Sequence, residues 1–272
     1  GAAAYSNSSI GVNAREAADL DATADLSRMN NPRAGSLSSA SSGKLYLGGN
    51  PNQRAVQLVL TGNNTGVAAD LASGASLDLT VSTETVSRSA DSGWAAIQAE
   101  NGSIRISGTE PSINVNIYGL GAAGDWAILP EFTINALYAE NGLVTADGTS
   151  WTADMVNLTY AGFANLVYDI GKMLSDAGRL FQVRFTKLGD SPLKDYASTD
   201  NQKAAVDSLW TVTSAPQNIS PAMMEFLNAV GNAQAAGDAG TIQSALSFYA
   251  GSGITALHSA QKGALKDQVL HL

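Results

Sequence analysis

The residues with the right chemistry and spacing to form a reactive site are few. Gly119, Gly121 and Gly124 follow an expected strand and match the G-x-G-x-x-G spacing of a dinucleotide cradle. Such a cradle needs a helix directly behind the glycines to receive the pyrophosphate, yet residues 125–129 run straight into Pro130. The preceding segment, INVNIY, alternates Asn with apolar residues, unlike a parallel strand buried on both faces. The glycines therefore read as a loop.

The two histidines, His258 and His271, stand thirteen apart near the C-terminus without metal-ligand spacing, and they read as helix residues. Any serine triad would need one of them as its base, but no G-x-S-x-G turn presents a nucleophile; Gly251-Ser-Gly253 is a short turn. Paired carboxylates could cleave glycosides, and Glu84, Glu100, Glu110, Glu131 and Glu140 fall in the β-patterned region, where solvated carboxylates are common. Asp19, Asp21 and Asp25 lack the calcium-loop pattern. Trp94, Trp126, Trp151 and Trp210 are scattered and read as packing residues. Five Asn-x-Ser/Thr sites, at Asn7, Asn63, Asn101, Asn157 and Asn218, are of the kind an Asn/Ser/Thr-rich chain produces by composition. The expectation is of no catalytic residue, no cofactor, no metal and no enzyme.

Composition narrows the function class further. Only 14% of the 272 residues are charged while 44% are hydrophobic, so a core is affordable but the surface must be polar and largely uncharged. Such a surface has little electrostatic barrier to close packing. A net charge of −9 with dispersed basic residues disfavours direct nucleic-acid binding, which depends on Lys and Arg displacing counterions. There is no cysteine, hence no disulfide framework or thiolate chemistry. No apolar run is long enough for a membrane span. The chain opens at Gly1 with GAAAYSNSS and all five Met are internal, which leads to the expectation that a signal peptide, pro-segment or tag was removed upstream.

The elements follow from periodicity. Residues 1–43 read as an N-terminal arm with a short acidic helix, where Asn13 and Glu16 have capping-box spacing and a Gly/Ser stretch follows. Its apolar residues Tyr5, Ile10, Val12, Leu20 and Met29 are the expected assembly contacts, ordered against neighbouring subunits. Residues 44–150 alternate with a period near two, giving strands at 55–61, 76–86, 94–99, 103–107, 113–118, 131–139 and 143–146. Asn101-Gly102 and Asn141-Gly142 read as type I′ hairpin turns. AENGSIRISGT at 99–109 and AENGLVTADGT at 139–149 share six identities at an offset of 40, compatible with a duplicated hairpin or with reused turn chemistry.

From 151 to 272 the period is helical, with Phe163, Leu166, Val167, Ile170 and Leu174 on one face. One strand is expected at 179–188. Ser220-Pro221 opens a helix through Met224, Leu227 and Val230; the turn at 237–240 and helices near 241–249 and 254–270 complete the chain. The resulting expectation is an α+β fold, an antiparallel β-sandwich or barrel over about 44–150, followed by a helix-rich region, 151–272, with one added strand. The function expected is a structural subunit of an ordered assembly, first of all a virion capsid or shell protein, with a surface-layer or filament subunit as its variant. Its partners would be further copies or other subunits of the same assembly, in a virion or at the cell surface. The alternative is a secreted carbohydrate-binding or carbohydrate-cleaving β-domain, which would show a tryptophan-lined groove and a close carboxylate pair.

Overall fold

The computed structural model describes residues 17–20, 23–25, 32–34, 36–39, 43–47, 56–62, 66–91, 94–118, 129–160, 162–214 and 221–251. The strands come in threes. A first coil holds β1 (Ala17–Leu20), β2 (Thr23–Asp25) and β3 (Arg33–Ala34); a second holds β4 (Ser36–Ser39), β5 (Lys44–Tyr46) and β6 (Leu58–Leu60). The third carries β7 (Val67–Ala72), β8 (Ser76–Thr80), the helix α1 (Thr83–Ala90) and β9 (Ile97–Ala99). The fourth has β10 (Ser103–Ser107), β11 (Ile113–Tyr118) and β12 (Glu131–Ala139), and a fifth begins with β13 (Leu143–Thr145) and β14 (Val156–Tyr160).

Each strand pairs with its counterpart one coil away, so that three sheets form: β1-β4-β7-β10-β13, β14-β11-β8-β5-β2 and a third beginning at β3 and running through β6, β9 and β12. The pairing between coils is parallel in all three. This overturns the expected antiparallel β-sandwich or barrel. Along the first sheet Ala18 faces Leu37, Leu37 faces Ala69, Ala69 faces Ile104 and Ile104 faces Leu143, steps of 19, 32, 35 and 39 residues. The coil thus lengthens along the stack while the paired strands stay short, and in the third coil α1 (Thr83–Ala90) takes up part of the added length.

Inward-facing residues stack on their own kind, as Leu45, Leu77 and Val115 do in the second sheet and Leu60, Ala99 and Ala139 in the third, all 1% exposed or less. In β11 the burial alternates strictly, with Ile113, Val115 and Ile117 inside and Asn114, Asn116 and Tyr118 half-exposed. This alternation is what an antiparallel reading expects, but here it arises because each wall of a coil has one face in the core and one in solvent. The β6 strand and the middle of β12 are instead buried on both faces.

The short helix expected in the arm is replaced by strands: Ala17–Leu20 and Thr23–Asp25 pair in parallel with β4 and β5. The Asn-Gly pairs are corners, not hairpins, because β9 and β10 lie in different sheets. Only the glycines take positive φ there, Gly102 at 101° and Gly142 at 93°. The offset of 40 seen in sequence is one coil: Ala99 lies opposite Ala139.

Beyond β14 come α2 (Ala164–Val167), β15 (Tyr168–Ser175) and β16 (Leu180–Lys187), so most of the helix expected over 163–174 is a strand. These two strands extend the third sheet. Ala139 N–H donates to Arg179 O (2.9 Å) and Lys187 N–H to Pro130 O (3.0 Å), so β16 runs antiparallel to β12. The first sheet ends differently: Ser150 makes an antiparallel bridge with Val144, and the buried Trp151 donates its indole N–H to Val144 O at 2.7 Å.

Contacts divide the chain into two compact units, one of Gly1–Tyr118, Thr133–Tyr160 and Gly171–Arg184, the other of Gly119–Phe132, Ala161–Ile170 and Phe185–Leu272. The second unit is built around helices α3 (Asp200–Ser214), α4 (Pro221–Ala235) and α5 (Ala239–Gly251). Thr199 and Gln202 form a capping box at the start of α3, and Gln202 also donates to Gln243 and Ser247 of α5. Gly231 allows a close approach, since a Cβ there would meet Gly162 O at 2.5 Å. Phe132 and Phe185 stack at 4.5 Å with Tyr168 edge-on to both, and burial pushes the Tyr168 phenol well up.

Candidate functional site: a charged corner and polar ladders

The corner between the third and first sheets repeats in three successive coils, at Thr61-Gly62, Asn101-Gly102 and Asn141-Gly142. Coil-to-coil hydrogen bonds hold it: Asn101 Nδ2 donates to Thr61 O (3.0 Å), Glu100 N–H to Leu60 O (2.8 Å) and Glu140 N–H to Ala99 O (3.1 Å). Glu100 and Glu140 are therefore placed one strand spacing apart, about 4.8 Å along the ladder direction. Arg33 contacts Glu100 at 2.7 Å. Glu140 accepts from the Tyr138 hydroxyl at 2.6 Å and lies 3.7 Å from Arg179, which also grips Asp176 at 2.6 Å. The hydrogen bond to Glu140 holds the Tyr138 phenol above its usual value, while Asp176 does the same for the Arg179 guanidinium.

Arg179 leaves a turn in which Asp176 and Ala177 both have positive φ, 52° and 54°. Such conformations are uncommon for residues with a Cβ. Arg179 closes the turn by donating to Asp176 O and Oδ1.

The outward faces of the sheets carry ladders. On the second sheet the Thr159 hydroxyl donates to Asn116 Oδ1, and Asn116 Nδ2 to Asp78 Oδ1 at 2.6 Å. Beside it Asn157 donates to Asn114 at 3.3 Å, and Asn114 to Gly74 O at 2.9 Å. On the first sheet Asp70 accepts from Arg105 at 2.5 Å and from the Ser107 hydroxyl. On the third, Gln57 donates to Gln98 at 2.6 Å. Parallel pairing makes this possible, because equivalent positions of successive coils stand side by side.

Of the carboxylates singled out in sequence, register brings Glu100 and Glu140 together. Glu84 pairs along α1 with Arg88 at 3.5 Å, and Glu110 is exposed on the turn after β10. Glu131 is exposed at the start of β12. Trp151 is spent as a cap; Trp94 and Trp210 are half-buried, and Trp126 lies outside the described residues. Tyr5, Ile10, Val12 and Met29, both histidines and the glycines at 119–124 also lie outside them. Leu20 ends β1, opposite Ser39. No group of three or more potential metal ligands gathers among the described residues, and no described helix is long and apolar enough to cross a membrane. Arg33, Tyr138, Asp176 and Arg179 were not anticipated; the signal that could have led to Tyr138 is the offset of 40, which makes its neighbours the counterparts of Glu100 and Asn101.

Stacked coils with parallel pairing in three sheets place the first unit among the parallel β-solenoids, repeat folds in which each coil contacts only its neighbours. Comparison with protein-family models, with curated proteins and with solved structures finds no match.

Proposed function

We propose that the chain is a structural subunit of an ordered assembly, with a virion capsid or shell protein as the leading form and a surface-layer or filament subunit as its variant. The observation that carries this reading is the pattern of polar ladders. Amides, hydroxyls and carboxylates of the strands bond to the next coil, as in Asp78–Asn116–Thr159 and Asp70–Arg105. Groups engaged in this way stiffen a scaffold and present a surface whose polar groups are already paired, of the sort that packs against further copies. Static light scattering over a concentration series tests the reading, and electron microscopy of the concentrated protein separates shells, sheets and filaments. Growth in mass with concentration is expected. A strict monomer at the highest soluble concentration would overturn it.

The register that places Glu100 and Glu140 on adjacent coils favours a second reading, a carbohydrate-cleaving domain, because that chemistry uses two neighbouring carboxyls. Against it, Arg33 and Arg179 already pair with these carboxylates. Polysaccharide cleavage abolished by both Glu100→Gln and Glu140→Gln would put this reading first.

A further inference from the structure

We infer that Asn141 is a site of spontaneous deamidation and that the same dipeptide one coil earlier, Asn101-Gly102, is shielded from it by the fold. This goes beyond the structural role and does not depend on it. In the reaction the backbone nitrogen of the following residue attacks the asparagine Cγ. A new C–N bond forms and ammonia leaves with the side-chain nitrogen, giving a cyclic imide. Water then opens either C–N bond of the ring to yield aspartate or isoaspartate. Glycine in the following position removes the Cβ that would hinder ring closure. The chain has two Asn-Gly pairs, at 101–102 and 141–142.

Both asparagines are exposed, so exposure does not separate them. Packing does. The Asn101 side chain donates its Nδ2 to Thr61 O at 3.0 Å, which ties the leaving amide to the preceding coil. Its backbone abuts Gly62 so closely that a Cβ on Gly62 would lie 2.3 Å from Asn101 O and 2.7 Å from Asn101 Cβ. On its other side a Cβ on Gly102 would meet Ala68 N at 2.9 Å and Gly66 O at 3.0 Å. The rotation and backbone shift needed to close the ring at 101 run into these neighbours.

At the next corner the surroundings open. A Cβ on Gly142 would meet only the Val144 Cγ1 atom, at 3.9 Å. Attack there requires Gly142 N–H to leave Ala139 O, a single hydrogen bond of 3.0 Å in a turn. The product carboxylate would follow Glu140 directly in the chain, adding one negative charge to a total already at −9.

The full chain would be held in mildly alkaline buffer at body temperature, sampled over weeks and mapped by peptide mass spectrometry with fragmentation that distinguishes isoaspartate. A parallel series in concentrated urea removes the fold, and Asn141→Gln removes the site. Conversion at 141 should run severalfold faster than at 101 in the folded chain, the two rates should converge in urea, and Asn141→Gln should abolish the native acidic shift on charge-based electrophoresis. Equal rates at the two positions in the folded chain, faster conversion at 101, or conversion at both only in urea would each overturn the inference.

Discussion

Ala177 occupies the left-handed region at φ 54° and ψ 36°, a conformation that disfavours a residue with a Cβ by about 1–2 kcal/mol. Ala177→Gly removes that penalty while giving the unfolded chain more freedom, so a net gain of about 0.5–1 kcal/mol is expected. Urea unfolding would show it as a higher midpoint at unchanged slope. A lower midpoint would mean that the turn is held without strain. Asp70 illustrates a different residue-scale effect. The hydrogen bond from Arg105 lowers its carboxyl below the ordinary 3.8, against the opposing effect of burial. A depressed value contributes stability above the unfolded value, and that contribution is lost as pH falls through the folded one. Because the pair is about a third exposed, Asp70→Asn should cost under about 1 kcal/mol at neutral pH. The difference should vanish in acid below the ordinary carboxylate range. A gap that persists there would assign the effect to packing instead of charge.

At the scale of elements, one buried polar network ties α1 to the strands. Asn135, 6% exposed, takes the Ser89 hydroxyl oxygen as acceptor for its N–H, donates its amide to Ser89 O and Trp94 O, and accepts from Gln182 Nε2 at 2.8 Å. Gln182 in turn accepts from the Ser175 hydroxyl. Asn135→Ala leaves several of these groups without partners and should cost about 2–3 kcal/mol, read by thermal and urea unfolding. A loss below about 0.5 kcal/mol would place it among ordinary surface changes. Much of the element positioning was legible in the sequence. The strands at Ser103–Ser107, Ile113–Tyr118 and Glu131–Ala139 and the helix opening at Pro221 stand where periodicity and caps put them. The pairing was not legible, because INVNIY alternates whether its neighbours run parallel or antiparallel, and only the separation of partners along the chain tells them apart. That separation was visible as the offset of 40 but has the same turn residues a hairpin uses. The stretch after Val81 misled for a local reason: β-branched Thr83, Thr85 and Val86 favour a strand, but the Ser82 hydroxyl accepts from Thr85 N–H and starts α1. The charged corner was half visible, its glutamates by type and its arginines not at all, since Arg33 and Arg179 reach it only through coil stacking and the turn before β16.

For the molecule as a whole, a solenoid distributes stability unevenly, because a coil gains from its own packing and from each neighbour it touches. The first described coil is short, with Ala18 only 19 residues from its partner Leu37, and among the described residues β1 and β2 each pair on one side only. By contrast β8 and β11 lie within the second sheet, and β11 pairs with both β8 and β14 through five residues each. Their inward side chains, Leu77, Leu79, Ile113, Val115 and Ile117, are all 2% exposed or less. Opening β11 must break two ladders and expose this core, whereas opening β1 breaks one ladder of four residue pairs. Native-state hydrogen exchange should therefore show the amides of Ile113–Tyr118 and Ser76–Thr80 exchanging only through global unfolding of the first unit. Those of Ala17–Leu20 and Thr23–Asp25 should exchange through local opening, with protection that barely responds to low urea. The two classes should differ in urea dependence as well as in rate, since the surface exposed on opening sets that slope. Equal protection and equal slope across the five described coils would show that the first unit unfolds as one cooperative block with no weak end, and would refute the nearest-neighbour account.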